Sequence, residues 1–239
     1  MMNFKLKLLF LGILFVSLPV SAQEEIDSLY PGVDSLYRED QFYLGFTYNL
    51  LTSKPEDIVQ SGFAGGVHLG FIRDFPLNDR RNIAIGAGIG WSFNTYGQNL
   101  LITEDPVNEN TIFRVLDEDE TDYNSNRFST QIIEVPLQFR WRTSTASKYK
   151  FWRIYTGLKF GYAYYFRSTL VRGDGEKYRQ TDVPQFNPIR LGATFTFGYN
   201  TFNFHFYYSL IPFFNDQATL NGQPIDMGTL QIGLMFYIL

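Results

Sequence analysis

From residue 42 to the C-terminus the chain alternates between large apolar residues and small or polar ones, over and over. The alternating runs are 42–50, 63–71, 83–94, 133–142, 152–167, 189–199, 202–210 and 230–238. A period of two sorts side chains onto the two faces of a strand. The third run shows the pattern best: Ile83, Ile85, Ala87, Ile89, Trp91 and Phe93 alternate with Ala84, Gly86, Gly88, Gly90, Ser92 and Asn94. A soluble sandwich also alternates, but its outward face must be wet and charged. Here roughly half of the second-face positions are Gly, Ala, Ser or Thr, which suits the cramped interior of a small closed barrel. The first face, rich in Phe, Tyr, Leu and Ile, suits lipid. The prediction is an all-β fold: an antiparallel transmembrane β-barrel of about eight strands and of the outer-membrane type, occupying residues 42–239.

Composition closes off the alternatives. Aromatic residues make up 18% of the 239, with 24 Phe and 16 Tyr, and charged residues also reach only 18%. An ordinary globular chain is about a quarter charged, so a soluble enzyme is a poor fit. Mean hydropathy is −0.14. Beyond the N-terminus no apolar run reaches the ~18 residues that a membrane helix needs.

Residues 1–22 read as a secretory signal peptide: Lys5 and Lys7, then an apolar stretch from Leu8 to Leu18, then Val20-Ser21-Ala22 before a cut ahead of Gln23. With no Cys in the chain, a lipidated cleavage-site cysteine, disulfides and thiolate metal sites are excluded. Without the signal lysines the balance is 18 basic to 24 acidic side chains, a charge of −6. That gives no electrostatic basis for nucleic-acid binding. Residues 23–41 form a polar leader with a repeat, Asp27-Ser28-Leu29-Tyr30 and Asp34-Ser35-Leu36-Tyr37. It is expected on the periplasmic side, as a tether or as a docking motif for a periplasmic protein partner.

The links between runs alternate in length, with 98–127 and 169–187 long and 74–81, 143–151 and 200–201 short. Outer-membrane barrels have short periplasmic turns and longer external loops, so both termini are expected in the periplasm of a Gram-negative cell. Trp141 and Trp152 flank one short turn, where an aromatic girdle is expected.

The stretch Ile133-Glu134-Val135-Pro136-Leu137-Gln138-Phe139, with Tyr155-Thr156-Gly157 and Gly161-Tyr162 after it, resembles the PorT-like group of bacterial outer-membrane β-barrel proteins. The resemblance spans most of residues 42–239. It implies a signal peptide, about eight strands and a C-terminal strand, and it implies secretion-machinery partners for an accessory of type IX protein secretion.

The lumen is expected to be lopsided. The second and third strands point Ala64, Gly66, Gly70, Ala84, Gly86, Gly88 and Gly90 inward, nearly bare. The fourth to sixth point Glu134, Arg140, Arg142, Arg153, Tyr155, Lys159, Tyr165, Arg167 and Arg190 inward. Large groups from one wall then fill the space left by the other, which makes a plugged lumen rather than a pore. Glu134, almost the only acid among those bases, is expected to pair with Lys159 or an Arg, and Pro136 predicts a bulge near it. The lumen network of Glu134, Arg140, Arg142, Arg153, Lys159, Arg167 and Arg190 reads first as internal salt bridging. The alternative is a site that binds or transports a small molecule or a lipid anion.

Catalysis finds no support. His68 and His205 both point inward, no acid flanks either in the sequence, and Ser209 sits four residues from His205. No cofactor or metal is called for. The loop at 98–127 carries Glu104, Asp105, Glu109, Asp117, Glu118, Asp119, Glu120 and Asp122 but lacks an EF-hand's glycine and closing glutamate. It reads as a solvated acidic loop, with cation bridging to lipopolysaccharide as the alternative. Outer-membrane lipid and lipopolysaccharide are the expected surroundings of the barrel. Its function is expected to be non-enzymatic, structural or assembly-related.

Overall fold

The computed structural model describes residues 40–105, 110–117, 122–143 and 151–238. The signal peptide, nearly all of the leader with both Asp-Ser-Leu-Tyr copies, and the heart of the acidic loop (118–121) lie outside the described residues. In chain order the strands are β1 (Gln41–Thr52), β2 (Gly65–Pro76), β3 (Ile83–Gly97), β4 (Leu100–Glu104), β5 (Thr111–Val115), β6 (Tyr123–Arg142) and β7 (Trp152–Arg172). They continue as β8 (Lys177–Gln180), β9 (Ile189–Tyr199), β10 (Phe202–Ser209), β11 (Thr219–Leu220), β12 (Gln223–Pro224) and β13 (Gly228–Ile238).

Eight of these strands close a barrel: β1, β2, β3, β6, β7, β9, β10 and β13, each antiparallel to its neighbours, with β13 returning to β1. Closure removes the unpaired edges that an open sheet would expose to lipid. Phe42 pairs with Ile238, so the start of β1 and the end of β13 lie side by side at the end that carries the short turns. The tightest of these turns is Asn200-Thr201, where Asn200 takes φ 56, a conformation that Asn tolerates better than most residues. The opposite end carries the long links and the hairpins β4–β5, β11–β12 and β7–β8. The β11–β12 hairpin turns on Asn221-Gly222, both at positive φ, as a type I′ turn requires.

The outward positions of the lower and middle barrel form the apolar band: Phe42 and Phe46 on β1, Val135 and Phe139 on β6, Phe160 on β7 and Phe204 on β10 are all exposed. Trp141 and Trp152 also face out at the short-turn end, and Trp152 packs against Tyr199 with ring centroids 5.4 Å apart.

Above this band the pattern inverts, and here the observed strands outrun the expected ones. β6 begins at Tyr123 and β7 runs to Arg172, so much of the expected long loops is strand. In this upper part the interior is apolar: Tyr96, Leu100, Phe128, Phe166, Phe213 and Phe214 belong to one buried cluster. Tyr96 stacks on Phe128 at 4.8 Å, and Phe213 meets Phe128 edge-on at 5.2 Å. On the outer face there Arg127 is exposed and Arg167 half-buried, while Ser129 and Thr169 between them are buried. Leaving lipid for water turns the barrel from polar-inside to apolar-inside.

Candidate functional site

The barrel strands point a set of charged residues into the lumen, and three layers fill it. The lowest, at the short-turn end, centres on Asp74. Its carboxylate accepts from Arg140 Nη1 at 2.9 Å and from Arg142 Nη2 at 2.7 Å, with all three side chains out of contact with solvent. Arg140 also donates to Gln41 Oε1 at 2.7 Å, and Arg142 Nε donates to the Arg81 carbonyl at 3.0 Å. The Arg140 guanidinium lies 4.3 Å from the centroid of the Tyr155 ring. Arg153 is held by aromatic faces, 4.6 Å from Phe151 and 5.6 Å from Tyr237. A buried carboxylate shared by two arginines is well compensated, and the rings supply cation–π contacts.

Asp74 is the acid that the sequence reading assigned to a turn. The signal was present: the inward series His68, Gly70, Ile72 continues in step to Asp74, and β2 extends to Pro76.

The middle layer centres on Glu134. Its Oε2 lies 3.1 Å from Lys159 Nζ, and Oε1 accepts from Ser92 Oγ at 2.8 Å. The register explains the pairing. Glu134 stands opposite Gly161 and Pro136 opposite Lys159, so the two charges meet on a diagonal across β6 and β7, over a glycine. Lys159 also faces the Tyr207 ring at 5.4 Å.

The upper layer is the aromatic cluster, tied to the wall by Arg190. Arg190 donates to Ser209 Oγ at 2.8 Å and to the carbonyls of Ile211 and Pro212 at 2.9 Å each, with Phe213 4.4 Å from its guanidinium.

Glycines make room for these groups. A Cβ on Gly86 would stand 2.7 Å from Arg140 Cδ, and one on Gly90 would collide with the Tyr43 hydroxyl. Tyr43 comes from β1, the neighbour of β2, while Arg140 comes from β6. The bare wall is therefore filled from both sides and not only from the basic strands facing it.

Two expectations are overturned. Arg167 and Tyr165 do not face the lumen. Between the pairs Gln131–Tyr165 and Ile132–Ala163, β7 carries one extra residue, Tyr164. Such a bulge moves every later side chain to the other face, so Phe166, Ser168 and Leu170 point inward and Arg167 outward. Nor is there a bulge at Pro136. The β6–β7 register runs straight through it, and the β3–β6 ladder merely skips from Ala87–Leu137 to Gly90–Glu134 without shifting. Proline cannot donate there, so a rung is missing while the spacing survives.

Space also brings an acid to a histidine, which sequence order hid. Glu134 Oε1 is 3.9 Å from His68 Nδ1, and Thr47 Oγ1 is 3.0 Å from His68 Nε2. The trio has the composition of a hydroxyl–imidazole–carboxylate relay but not its geometry. The acid is too far to orient the ring, and Thr47 donates to Asn49 Oδ1 at 2.9 Å. His205 is likewise engaged, with Nδ1 2.7 Å from Thr196 Oγ1. The void beside Glu134 and Lys159 is about 10 Å³, room for one water and no substrate. Among the described residues no cluster of His, Asp and Glu could hold a metal ion. Outside the lumen, a cleft of about 680 Å³ opens among the loops at the long-link end, between Asp57, Asn99, Phe113, Arg114, Tyr123 and Leu220.

The family model described as outer membrane protein beta-barrel domain matches residues 21–215. No curated protein matches the chain. Two solved structures of Ail, the attachment invasion locus protein of Yersinia pestis, are similar to it, one of them in complex with the heparin analogue sucrose octasulfate. They share 12% and 13% identity with it; each match covers 85% of this chain and 100% of that one, with a TM-score of 0.33.

Proposed function

For a chain that belongs to the outer membrane protein β-barrel domain family, we propose a non-enzymatic role as an integral outer-membrane barrel that works through its surfaces and not through its lumen. One observation carries this reading. The lumen is occupied by the Asp74, Glu134 and Arg190 layers, and the void between the Glu134 and Arg190 layers is about 10 Å³. A pore needs a continuous wet path. An anion site needs bases that are open to a ligand; Arg140, Arg142, Lys159 and Arg190 have partners within the barrel wall, and Arg153 is buried between the Phe151 and Tyr237 rings.

The short-turn end, with both ends of the barrel chain, is assigned to the periplasm, and the loop-rich end to the cell exterior. In the finer reading the barrel is a structural or assembly partner, an accessory to protein secretion in the manner of the PorT-like group. Support for it is the resemblance around residues 133–139.

Two measurements test the reading. Reconstituted in planar bilayers, the protein is expected to show no stepwise conductance; steady single-channel currents would overturn the plugged lumen. A gentle-detergent pull-down of tagged protein from native outer membranes is expected to recover secretion-machinery proteins in stoichiometric amount. Recovery of the barrel alone would remove the accessory role.

A further inference from the structure

The bulge at Tyr164 does more than empty one lumen position. It delivers Arg167 to the outer wall beside other cations. Arg127 on β6 pairs with Thr169 on β7, and Thr169 pairs with Arg179 on β8, so the exposed Arg127 and Arg179 flank a buried Thr169 in one row of the outer face. Below that row Ser129 pairs with Arg167, and above it Ser125, Val171 and Lys177 stand in line. Neighbouring positions in such rows are about 5 Å apart, and diagonal ones about 7–8 Å. Four cations therefore share one small patch of wall.

Like charges so placed repel, and a wall normally compensates them with acids. Among the described residues none of Arg127, Arg167, Lys177 or Arg179 forms an ion pair with a carboxylate. The ion pair formed nearby is Arg172–Glu176, at the tip of the β7–β8 hairpin. Arg167 is half-buried, lies 5.8 Å from the Tyr165 ring, and its Nε has no hydrogen-bond partner among the described residues.

Height identifies the counter-ion. Just below the patch, Trp91 Nε1 donates to Tyr164 Oη at 2.8 Å, and Tyr164 donates to Gln131 Oε1 at 2.7 Å. Hydrogen-bonded rings of this kind mark the boundary between hydrocarbon and headgroups. From Trp152 to Tyr164, β7 covers roughly 40 Å of strand, or about 30 Å of height at barrel tilt, enough to cross the bilayer core. The cations thus sit at headgroup level, above the exposed Tyr162 and Ile133 that would meet acyl chains.

We propose that Arg127, Arg167, Lys177 and Arg179 form an exterior site for the phosphate of an outer-leaflet glycolipid, the phosphorylated sugar headgroup of lipopolysaccharide. Guanidinium forks suit phosphate oxygens, and the apolar wall below holds the lipid's chains. The site rests on the assignment of the loop-rich end to the cell exterior.

The test uses the full mature protein in uncharged detergent, with bound lipid counted by native mass spectrometry. Diphosphoryl lipid A is expected to bind and to raise the melting temperature, with the same lipid stripped of phosphate binding weaker by about ten-fold or more, as lost charge-assisted hydrogen bonds require. The triple variant Arg127→Gln, Arg167→Gln, Arg179→Gln is expected to lose binding to a similar degree, while Arg73→Gln with Arg80→Gln, at the short-turn end, keeps it. Should the triple variant not fold, Arg179→Gln alone, at an exposed position, is expected to weaken binding several-fold. Equal binding of phosphorylated and dephosphorylated lipid, or wild-type binding by the triple or the single variant, overturns the site. Inorganic phosphate competing as well as the lipid does so too, because it shows a free-anion site in place of a headgroup site. The orientation is checked separately. The chain has no cysteine, so Thr181→Cys is a unique label, expected to react with an impermeant maleimide on intact cells. Labelling only after permeabilisation would invert the barrel while leaving lipid binding in micelles intact.

Discussion

Asp74 and Arg140 lie on strands that do not touch, β2 and β6, yet their side chains meet across the lumen at 2.9 Å with neither exposed to solvent. β3 runs between them and carries Gly86, whose missing side chain is what lets Arg140 pass over it. Removing the carboxylate strands two buried guanidinium groups, and breaking a buried pair from one side costs about 3–5 kcal/mol. Asp74→Ala is therefore expected to lower stability by that amount in a urea titration of the folded barrel in micelles. An unchanged unfolding midpoint would mean that water reaches the arginines.

The Glu134–Lys159 pair makes a sharper case, because both partners can be replaced. Glu134→Ala alone is expected to cost about 3–5 kcal/mol, as one buried charge is left behind. Glu134→Leu combined with Lys159→Met should recover most of that loss, since an apolar pair of similar volume is often neutral. A double-mutant cycle on the two sites measures the coupling; strict additivity would contradict the 3.1 Å contact.

Gly90 faces the Tyr43 hydroxyl at a distance that leaves no room for a side chain. Gly90→Ala is expected to destabilise by about 1–3 kcal/mol through overpacking. The same substitution in a Tyr43→Ala background should cost much less. Equal costs in both backgrounds, read from thermal unfolding, would show that the wall moves to accept the methyl group.

In the upper barrel the stabilisation is that of an ordinary apolar core. Phe128 is fully buried among Tyr96, Phe166 and Phe213. Phe128→Ala is expected to cost about 3–5 kcal/mol. Phe204→Ala, on the exposed apolar band, should cost far less, because no close-packed cavity is left behind. Comparing the two unfolding midpoints in the same micelle checks this.

What the sequence determined by itself follows from the period of two. Wherever one face meets lipid and the other a cramped interior, alternation assigns each side chain to its face, and the strands through Phe46, Trp91, Leu137, Phe160 and Phe204 were legible for that reason. The place of Glu134 among the inward bases was legible too. Three things were decided only in three dimensions. Asp74 looked like a turn residue because the apolar side of its strand fades toward Pro76, and only the closed barrel reveals that its other side has arginines to meet. Arg167 looked like a lumen residue because alternation carries no mark of an inserted residue, and the extra residue at Tyr164 appears only in the β6–β7 register. The upper barrel was read as loop because its alternation is inverted. There the interior is apolar and the outer face carries cations and small polar residues, and a sequence does not announce the height at which its surroundings change from lipid to water.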